Sequence, residues 1–581
     1  MKKLKFCLSV ALSLVTITTL SSCRYILSII SMKNDYISHD KPSSTSLNTV
    51  IGNSSLEVSF SKSEYNEIKS KQNECKKLVS NGNDYSTFIS KYNEIINFAK
   101  KIDGNAQIEY IFYSVYGDSS YRTNYNYFST IYQSIVSFTQ EIERSLKNSN
   151  FKTQFFVNDD GTVMTDEEIE EYIGVEYSDK FYDLQSQAVE ISNKVDELDD
   201  SSSTYTSETN SYYKQLVKIN NELAKEAGYD NYLDYAYSEI YSRNYTYKDA
   251  QTFSSLVGKY LPDASLKASS TYTKIKSSYD EKNFFSSTNN ILASECKKIK
   301  YGDYLDTALD STKTYMSYFE DYSKTISDNC YNEYNNLWNN GGYYYITYEE
   351  NGHDGAFTTY LNNQNSPAIV IGQNYTNILT LVHEFGHYYA YTFTGNISTS
   401  YDLCETQSQG NELLFLNYLI NNNEQDSLFN NGIMAYMAYN YYGDILMSTF
   451  VSDFEIACYT AEDIDNLDLE NLEKEIINKY SLNDKSLSTT NFKTIAGDYD
   501  SYWRKVVFDN ACYYISYAVS LVPALDLGYI AKNDYAKAVE TYNSIVDYDL
   551  TETDYVSILT NAGLSSPFNE QSFKNITSIL S

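Results

Sequence analysis

Only 5 prolines and 22 glycines punctuate 581 residues. A turn-rich β-sandwich or barrel draws heavily on both, because tight turns use the fixed φ of proline and the positive φ open to glycine. Long uninterrupted helices make no such demand, so the chain reads as mainly α. Its length exceeds one compact core of ordinary size and points to two lobes. Hydrophobic residues at 42% and charged residues at 21% give a globular rather than a disordered balance. The 77 acidic and 44 basic residues leave a net charge of −33, which repels a phosphate backbone and excludes nucleic acid as a partner.

The first residues read as a targeting segment. Three lysines in Met1 to Lys5 precede the apolar stretch Phe6 to Leu20, which is too short to span a bilayer comfortably. The stretch ends Leu20-Ser21-Ser22-Cys23, which resembles the lipobox of bacterial lipoproteins and makes Cys23 the expected lipidation site. Two acyl chains on that cysteine suffice for stable anchoring. The expected organisation is a signal peptide at 1–22, a polar tether at 23–60, an N-terminal helical lobe at 61–205 and a catalytic domain at 206–581. The polar run Asp199 to Ser211 reads as the loop between lobes. Cys75, Cys296, Cys330, Cys404, Cys458 and Cys512 form no CxxC pair and read as buried free thiols.

Within the first lobe, Phe88, Tyr92, Ile95, Ala99 and Ile102 recur at helical spacing, and Thr165 with Glu168 forms a capping box. Three short β-branched and aromatic segments interrupt the helices: Tyr343 to Tyr348, Ala356 to Leu361 and Pro367 to Ile371. Asn351-Gly352 and Asp354-Gly355 supply turns between the first two, and His353 between them reads as a turn residue.

The next helix carries the chemistry. It reads Leu379-Thr-Leu-Val-His383-Glu384-Phe-Gly-His387, and residues four apart share a helix face, so two imidazoles can bind one metal. Glu384, one residue on, can take a proton from a metal-bound water. Chance gives such a pair with Glu second in roughly 0.002 of chains with this histidine content. Two imidazoles, a carboxylate and an open position favour zinc, one per chain. A metzincin would carry Gly at 390 and His at 393, where this chain has Ala390 and Phe393. No histidine follows His387, so a residue of another type must complete the set. Glu405 lies 18 residues after His387, a spacing typical of zinc peptidases with a Glu ligand. Two other readings stay open: Glu405 as capping-box partner of Asp402, and Glu412 as the ligand.

These segments together resemble the thimet oligopeptidase and oligoendopeptidase F family of zinc metallopeptidases, most closely its oligoendopeptidase F branch. The resemblance rests on HEFGH, on Glu405-x-x-Ser408-x-x-x-Glu412, on Gly355-Ala356-Phe357 with Ser366 to Gly372, on Leu223 to Tyr232, and on Ala511 to Ala518. It covers about residues 215 to 575. It implies a mostly helical, two-lobed fold with a deep channel for short peptides and a small sheet beside the HExxH helix. It also implies that Tyr514 and Tyr517 donate hydrogen bonds to the developing oxyanion. Val506 stands where the family usually has a histidine.

The expected protein is thus a lipid-anchored zinc endopeptidase on the outer face of a bacterial membrane, cleaving short peptides. Strand Ala356 to Leu361 would pair with the extended substrate. The alternatives are another Glu-ligand zinc peptidase, or a catalytically weak peptide-binding lipoprotein. No GxMEN motif of an aminopeptidase is present.

Overall fold

The computed structural model describes residues 50–52, 56–158, 161–174, 177–196, 198–199, 201–277, 315–347, 355–372, 378–395, 400–422, 427–480, 507–508, 510–550 and 554–578. Cys23, Cys296, His353 and Val506, singled out above, lie outside these residues.

The architecture is mainly α, as the scarcity of proline and glycine requires. Helix α1 (Lys62–Asn81), α2 (Tyr85–Tyr116), α3 (Ser119–Lys147) and α4 (Asp166–Ile173) build a first bundle. The expected face of α2 is its buried face: Phe88, Tyr92, Ile95, Ala99 and Ile102 all enter one core with Ile68, Phe128, Ile135 and Ile169. Asp84 starts α2 by accepting from the Thr87 N–H, and Gly117 at φ +66° ends it. Thr165 and Glu168 make both bonds of the expected capping box on α4.

A larger core gathers α5 (Asp179–Asp196), α6 (Tyr205–Glu226), α7 (Tyr247–Ser277), α8 (Tyr315–Ile326), α9 (Asp328–Trp338) and the helices downstream. Helix α6 begins at Tyr205, so the polar run read as a loop is helical over its second half. Ser207, Glu208 and Ser211 face solvent there while Thr209 and Tyr213 turn inward, and a helix whose outer face is this polar looks like a linker.

The four strands β1 (Val50–Gly52), β2 (Tyr343–Thr347), β3 (Ala356–Leu361) and β4 (Ser366–Gly372) lie in the order β1-β2-β4-β3. Strand β2 runs parallel to β4, with Tyr345 opposite Val370, and β3 runs antiparallel to β4, with Thr358 opposite Ile369. Alternation along the strands divides the sheet between two cores. Tyr345, Ala368 and Val370 pack on Ile108, Ile111 and Val115 of α2, whereas Ile346, Ile369 and Ile371 join the larger core. A strand buried on both faces must be apolar without alternation, which is why Pro367 to Ile371 reads as a continuous run. Strand β1 arises inside the polar stretch expected to be a tether, and Leu56 just beyond it is buried.

The chain continues through α10 (Ile378–Thr394), α11 (Tyr401–Asn421), α12 (Ser427–Tyr459), α13 (Leu469–Lys479), α14 (Ile515–Asn533), α15 (Tyr535–Val546), α16 (Tyr555–Asn561) and α17 (Glu570–Thr577). Helix α10 packs against β3 and β4 on one side and α11 on the other. No described helix is long and apolar enough to cross a membrane. Cys75, Cys330, Cys458 and Cys512 are buried free thiols, and Cys404 is a partly buried one.

Candidate metal centre

Helix α10 presents His383 and His387 one turn apart, their rings 5.0 Å between centroids and nearly perpendicular. Helix α11 crosses it and brings Glu405 to both. Glu405 Oε2 lies 3.5 Å from His383 Nε2 and 3.8 Å from His387 Nε2. One donor atom from each of the three residues falls within 4.8 Å of the others. Tetrahedral zinc with bonds of about 2.0–2.2 Å holds its donors about 3.3–3.6 Å apart, so the set fits such an ion. The His383 side chain is 22% exposed and the His387 side chain 15%, so neither ring is fully enclosed.

The crossing is close because of Gly386. A β-carbon there would meet Ser408 Cα at 2.7 Å, Asn411 Cβ at 3.2 Å and the Gln407 carbonyl at 3.3 Å. Asn411 secures the contact by donating from Nδ2 to the Val382 carbonyl at 2.7 Å, and Tyr322 in turn donates to Asn411 Oδ1 at 2.6 Å.

The two alternatives for Glu405 have structural answers. The N-cap of α11 is Ser400, which puts Asp402 inside the first turn and Glu405 in the second, beyond capping range. Glu412 sits behind His383: His383 Nδ1 donates to Glu412 Oε1 at 2.7 Å, and Tyr441 donates to Glu412 Oε2 at 2.6 Å. A carboxylate on the far ring nitrogen fixes the tautomer and leaves Nε2 for a cation. Spacing carried this signal, because seven residues put Glu405 and Glu412 on the same helix face, two turns apart.

Glu384 is buried, and its carboxylate meets the sheet. Thr358 of β3 donates from Oγ1 to Glu384 Oε2 at 2.6 Å and to the Glu384 carbonyl at 3.0 Å. Burial pushes the Glu384 carboxyl up to about 7, against the opposing pull of the His383 charge and the Thr358 hydrogen bond. Burial likewise raises Glu405. Burial and the neighbouring His383 charge drive His387 well below the ordinary histidine range, leaving a neutral ring with a free lone pair. Burial pulls His383 down too, but the hydrogen bond and charge of Glu412, with Glu405 and Glu384 behind it, raise it to about 9. The carboxylates of Glu405 and Glu412 thus face the imidazoles, with Glu384 beside them, a set whose negative charge suits a divalent cation.

A third tyrosine joins the two that the sequence singled out. Tyr513 contacts the donor set: its hydroxyl donates to Glu405 Oε1 at 3.1 Å and to Tyr517 Oη at 3.4 Å. Tyr517 is therefore one hydroxyl removed from Glu405. Tyr514 holds the N-cap position of α14 without a side-chain cap bond, its ring 5.6 Å from that of Tyr517. Tyr514 has right-handed helical backbone and its carbonyl accepts from the Tyr517 N–H at 3.1 Å, so the pair shares the face that the i,i+3 spacing suggests. Ser408 adds a bond to Glu405 Oε2 at 3.4 Å.

Fold and site together define a helical HExxH protein with a Glu-completed donor set. The chain has the fold of solved oligoendopeptidases and their relatives. Its neighbours include PZ peptidase A with an inhibitor, at TM-score 0.65 and 14% identity over 91% of this chain and 98% of that one. A second, provisionally described as oligoendopeptidase F, gives TM-score 0.64 and 13% identity over 90% of this chain and 97% of that one. A protein from Bacillus anthracis with the same provisional description gives 0.61 and 16% over 91% and 97%. No family model and no curated protein sequence matches the chain.

Proposed function

We propose that this chain is a zinc-dependent endopeptidase that cleaves short peptides. The observation that carries the reading is the convergence of His383, His387 and Glu405 with Glu384 set beside them, on a fold shared with peptidases. His383, His387 and Glu405 would hold the zinc, which supplies Lewis acidity and an acidified water.

The protein's own groups divide the remaining work. Glu384 receives the proton of the attacking water at Oε1, while the Thr358 hydroxyl holds Oε2. Glu412, anchored by Tyr441, keeps the His383 ring in one orientation. Tyr513 occupies Glu405 Oε1 and so turns Oε2 toward the histidines. Tyr517 is the phenol best placed to donate to an oxyanion, with Tyr514 beside it as the second candidate. Among the described strands β3 is an edge, and an extended peptide pairing with it would lie next to Thr358 and Glu384. Glutamate-ligand peptidases of other families remain the nearest alternative. Val506, where the family that the sequence resembles usually has a histidine, motivates a second reading as a peptide-binding protein with weak turnover.

Cleavage of internally quenched peptides by the wild type and by Glu384→Gln tests the reading. Zinc content and peptide affinity without cleavage would favour the binding protein instead.

The site of action is part of the proposal. The Leu20-Ser21-Ser22-Cys23 sequence supports a diacylated Cys23 on the outer face of a bacterial membrane. Cys23→Ser should release the protein from the membrane fraction, read by blotting fractionated cells; unchanged retention would contradict the anchor.

A further inference from the structure

The turn that carries Tyr513 is gripped from the far side of the core by a buried arginine. Cys512, in the middle of that turn, has φ +66°, a left-handed backbone that opposes any residue with a β-carbon. Such a conformation persists only where its surroundings over-determine it. They do so here. The Tyr241 hydroxyl donates to the Ala511 carbonyl at 2.7 Å. The two terminal nitrogens of Arg243 donate to the Cys512 carbonyl at 2.9 Å and the Tyr513 carbonyl at 3.3 Å, and one of them also reaches Ser516 Oγ at 2.8 Å. The Cys512 N–H donates to Glu455 Oε1 at 2.7 Å. Three consecutive carbonyls and one amide are thereby fixed by side chains distant in sequence.

Arg243 also reaches the helix that carries Glu405. Its side chain is fully buried, with the equally buried Asp402 carboxylate 3.8 Å from Nε, an ion pair without a direct hydrogen bond. The guanidinium lies 4.5 Å from the Tyr237 ring centroid and 4.4 Å from that of Tyr241. The backbone leading to it is unusual as well: a π-helical turn at Ala236–Ile240, then Ser242 at φ +50°. Asp402 is one turn before Glu405 on α11. Arg243 thus bridges the two elements whose side chains meet in the Tyr513–Glu405 hydrogen bond.

We infer that Arg243 is a positioning residue, setting the turn at 511–516 against α11 so that Tyr513 bonds Glu405 and Tyr517 stays beside it. The consequence for the cation rests on the reading of Glu405 as a metal ligand; the clamp on the turn does not. An arginine is needed because a planar fork can bind two neighbouring carbonyls at once, whereas a lysine ammonium is a single point.

The test compares Arg243→Lys, Tyr513→Phe and the double variant. Each is assayed for zinc affinity, for the visible spectrum of bound cobalt(II), for thermal stability, and for amide hydrogen exchange across 511–516. Arg243→Lys should speed exchange in that segment, weaken zinc binding by about 10- to 100-fold, and shift the cobalt bands. Tyr513→Phe should weaken zinc binding in the same way, and the double variant should be no worse than the weaker single, because both act through one contact. Tyr241→Phe removes the bond to Ala511 while keeping the ring beside Arg243 and should give a smaller change of the same sign, which covers the case of an unfolded Arg243→Lys protein. A lower melting temperature with wild-type zinc affinity, cobalt spectrum and exchange would overturn the inference, as would losses that multiply in the double variant. A wild type that binds no zinc would overturn the proposed function instead; faster exchange at 511–516 in Arg243→Lys would still support the clamp, and unchanged exchange would still refute it.

Discussion

Glu384→Gln is expected to lower peptide hydrolysis by about 10²–10⁴-fold with zinc still bound. The amide matches the carboxylate in shape, and its oxygen can keep accepting from Thr358 Oγ1. What it loses is the basic oxygen that takes the proton of the attacking water. None of His383, His387 or Glu405 depends on Glu384 for a hydrogen bond in the structure, so metal content should stay at the wild-type level. Stability should not fall either. Burial raises the Glu384 carboxyl from 4.5 to about 7. Folding of the metal-free chain therefore loses stability as the pH rises through that window, and the amide is free of the penalty. Initial rates on quenched peptides, paired with zinc analysis and a melting curve at pH 8, separate these effects. Activity within a few-fold of wild type would remove Glu384 from the chemistry.

The second large effect comes from a methyl group. In Gly386→Ala the new β-carbon would sit 2.7 Å from Ser408 Cα, which is backbone of α11 and cannot rotate away. Helix α10 or α11 must shift, and the shift opens the gap between the two histidines and Glu405. Overpacking of this kind costs about 1–3 kcal/mol. The functional loss should be larger in proportion, since a displacement of about 1 Å at a reacting site can cost 10²-fold in rate. We expect a lower melting temperature, weakened zinc binding and activity reduced by about 10²-fold or more. A Gly386→Ala protein with wild-type stability and zinc affinity would show that the helices do not cross as closely as described.

How legible the site was depends on sequence distance. His383, Glu384 and His387 lie within one helical turn or so, and a spacing of four carries their geometry directly. Glu405 and Glu412 share a helix, so their seven-residue separation encodes one face, and only the crossing of α10 and α11 decides which of them meets the Nε2 atoms of both histidines. Thr358 comes from a strand whose existence is readable but whose register against α10 is not. Tyr513 was hidden for a different reason. Among 62 tyrosines no composition signal marks it, and nothing in the local spacing of Tyr513, Tyr514 and Tyr517 says which of them meets Glu405. Arg243 was invisible because its partners lie about 270 residues away. The same holds for the fold: long amphipathic helices such as α2 announce themselves, whereas the three residues of β1 sit in a polar stretch with no periodic signal.

The central claim is that a zinc ion held by His383, His387 and Glu405 is required for peptide cleavage. Chelating the purified wild-type protein, then restoring metal while following quenched-peptide hydrolysis and zinc content together, tests it most directly. The expected result is about one zinc per chain, with activity lost with the ion and regained on its return. Cleavage that persists after the zinc is gone would contradict it, and so would a fully zinc-loaded protein that cleaves no peptide.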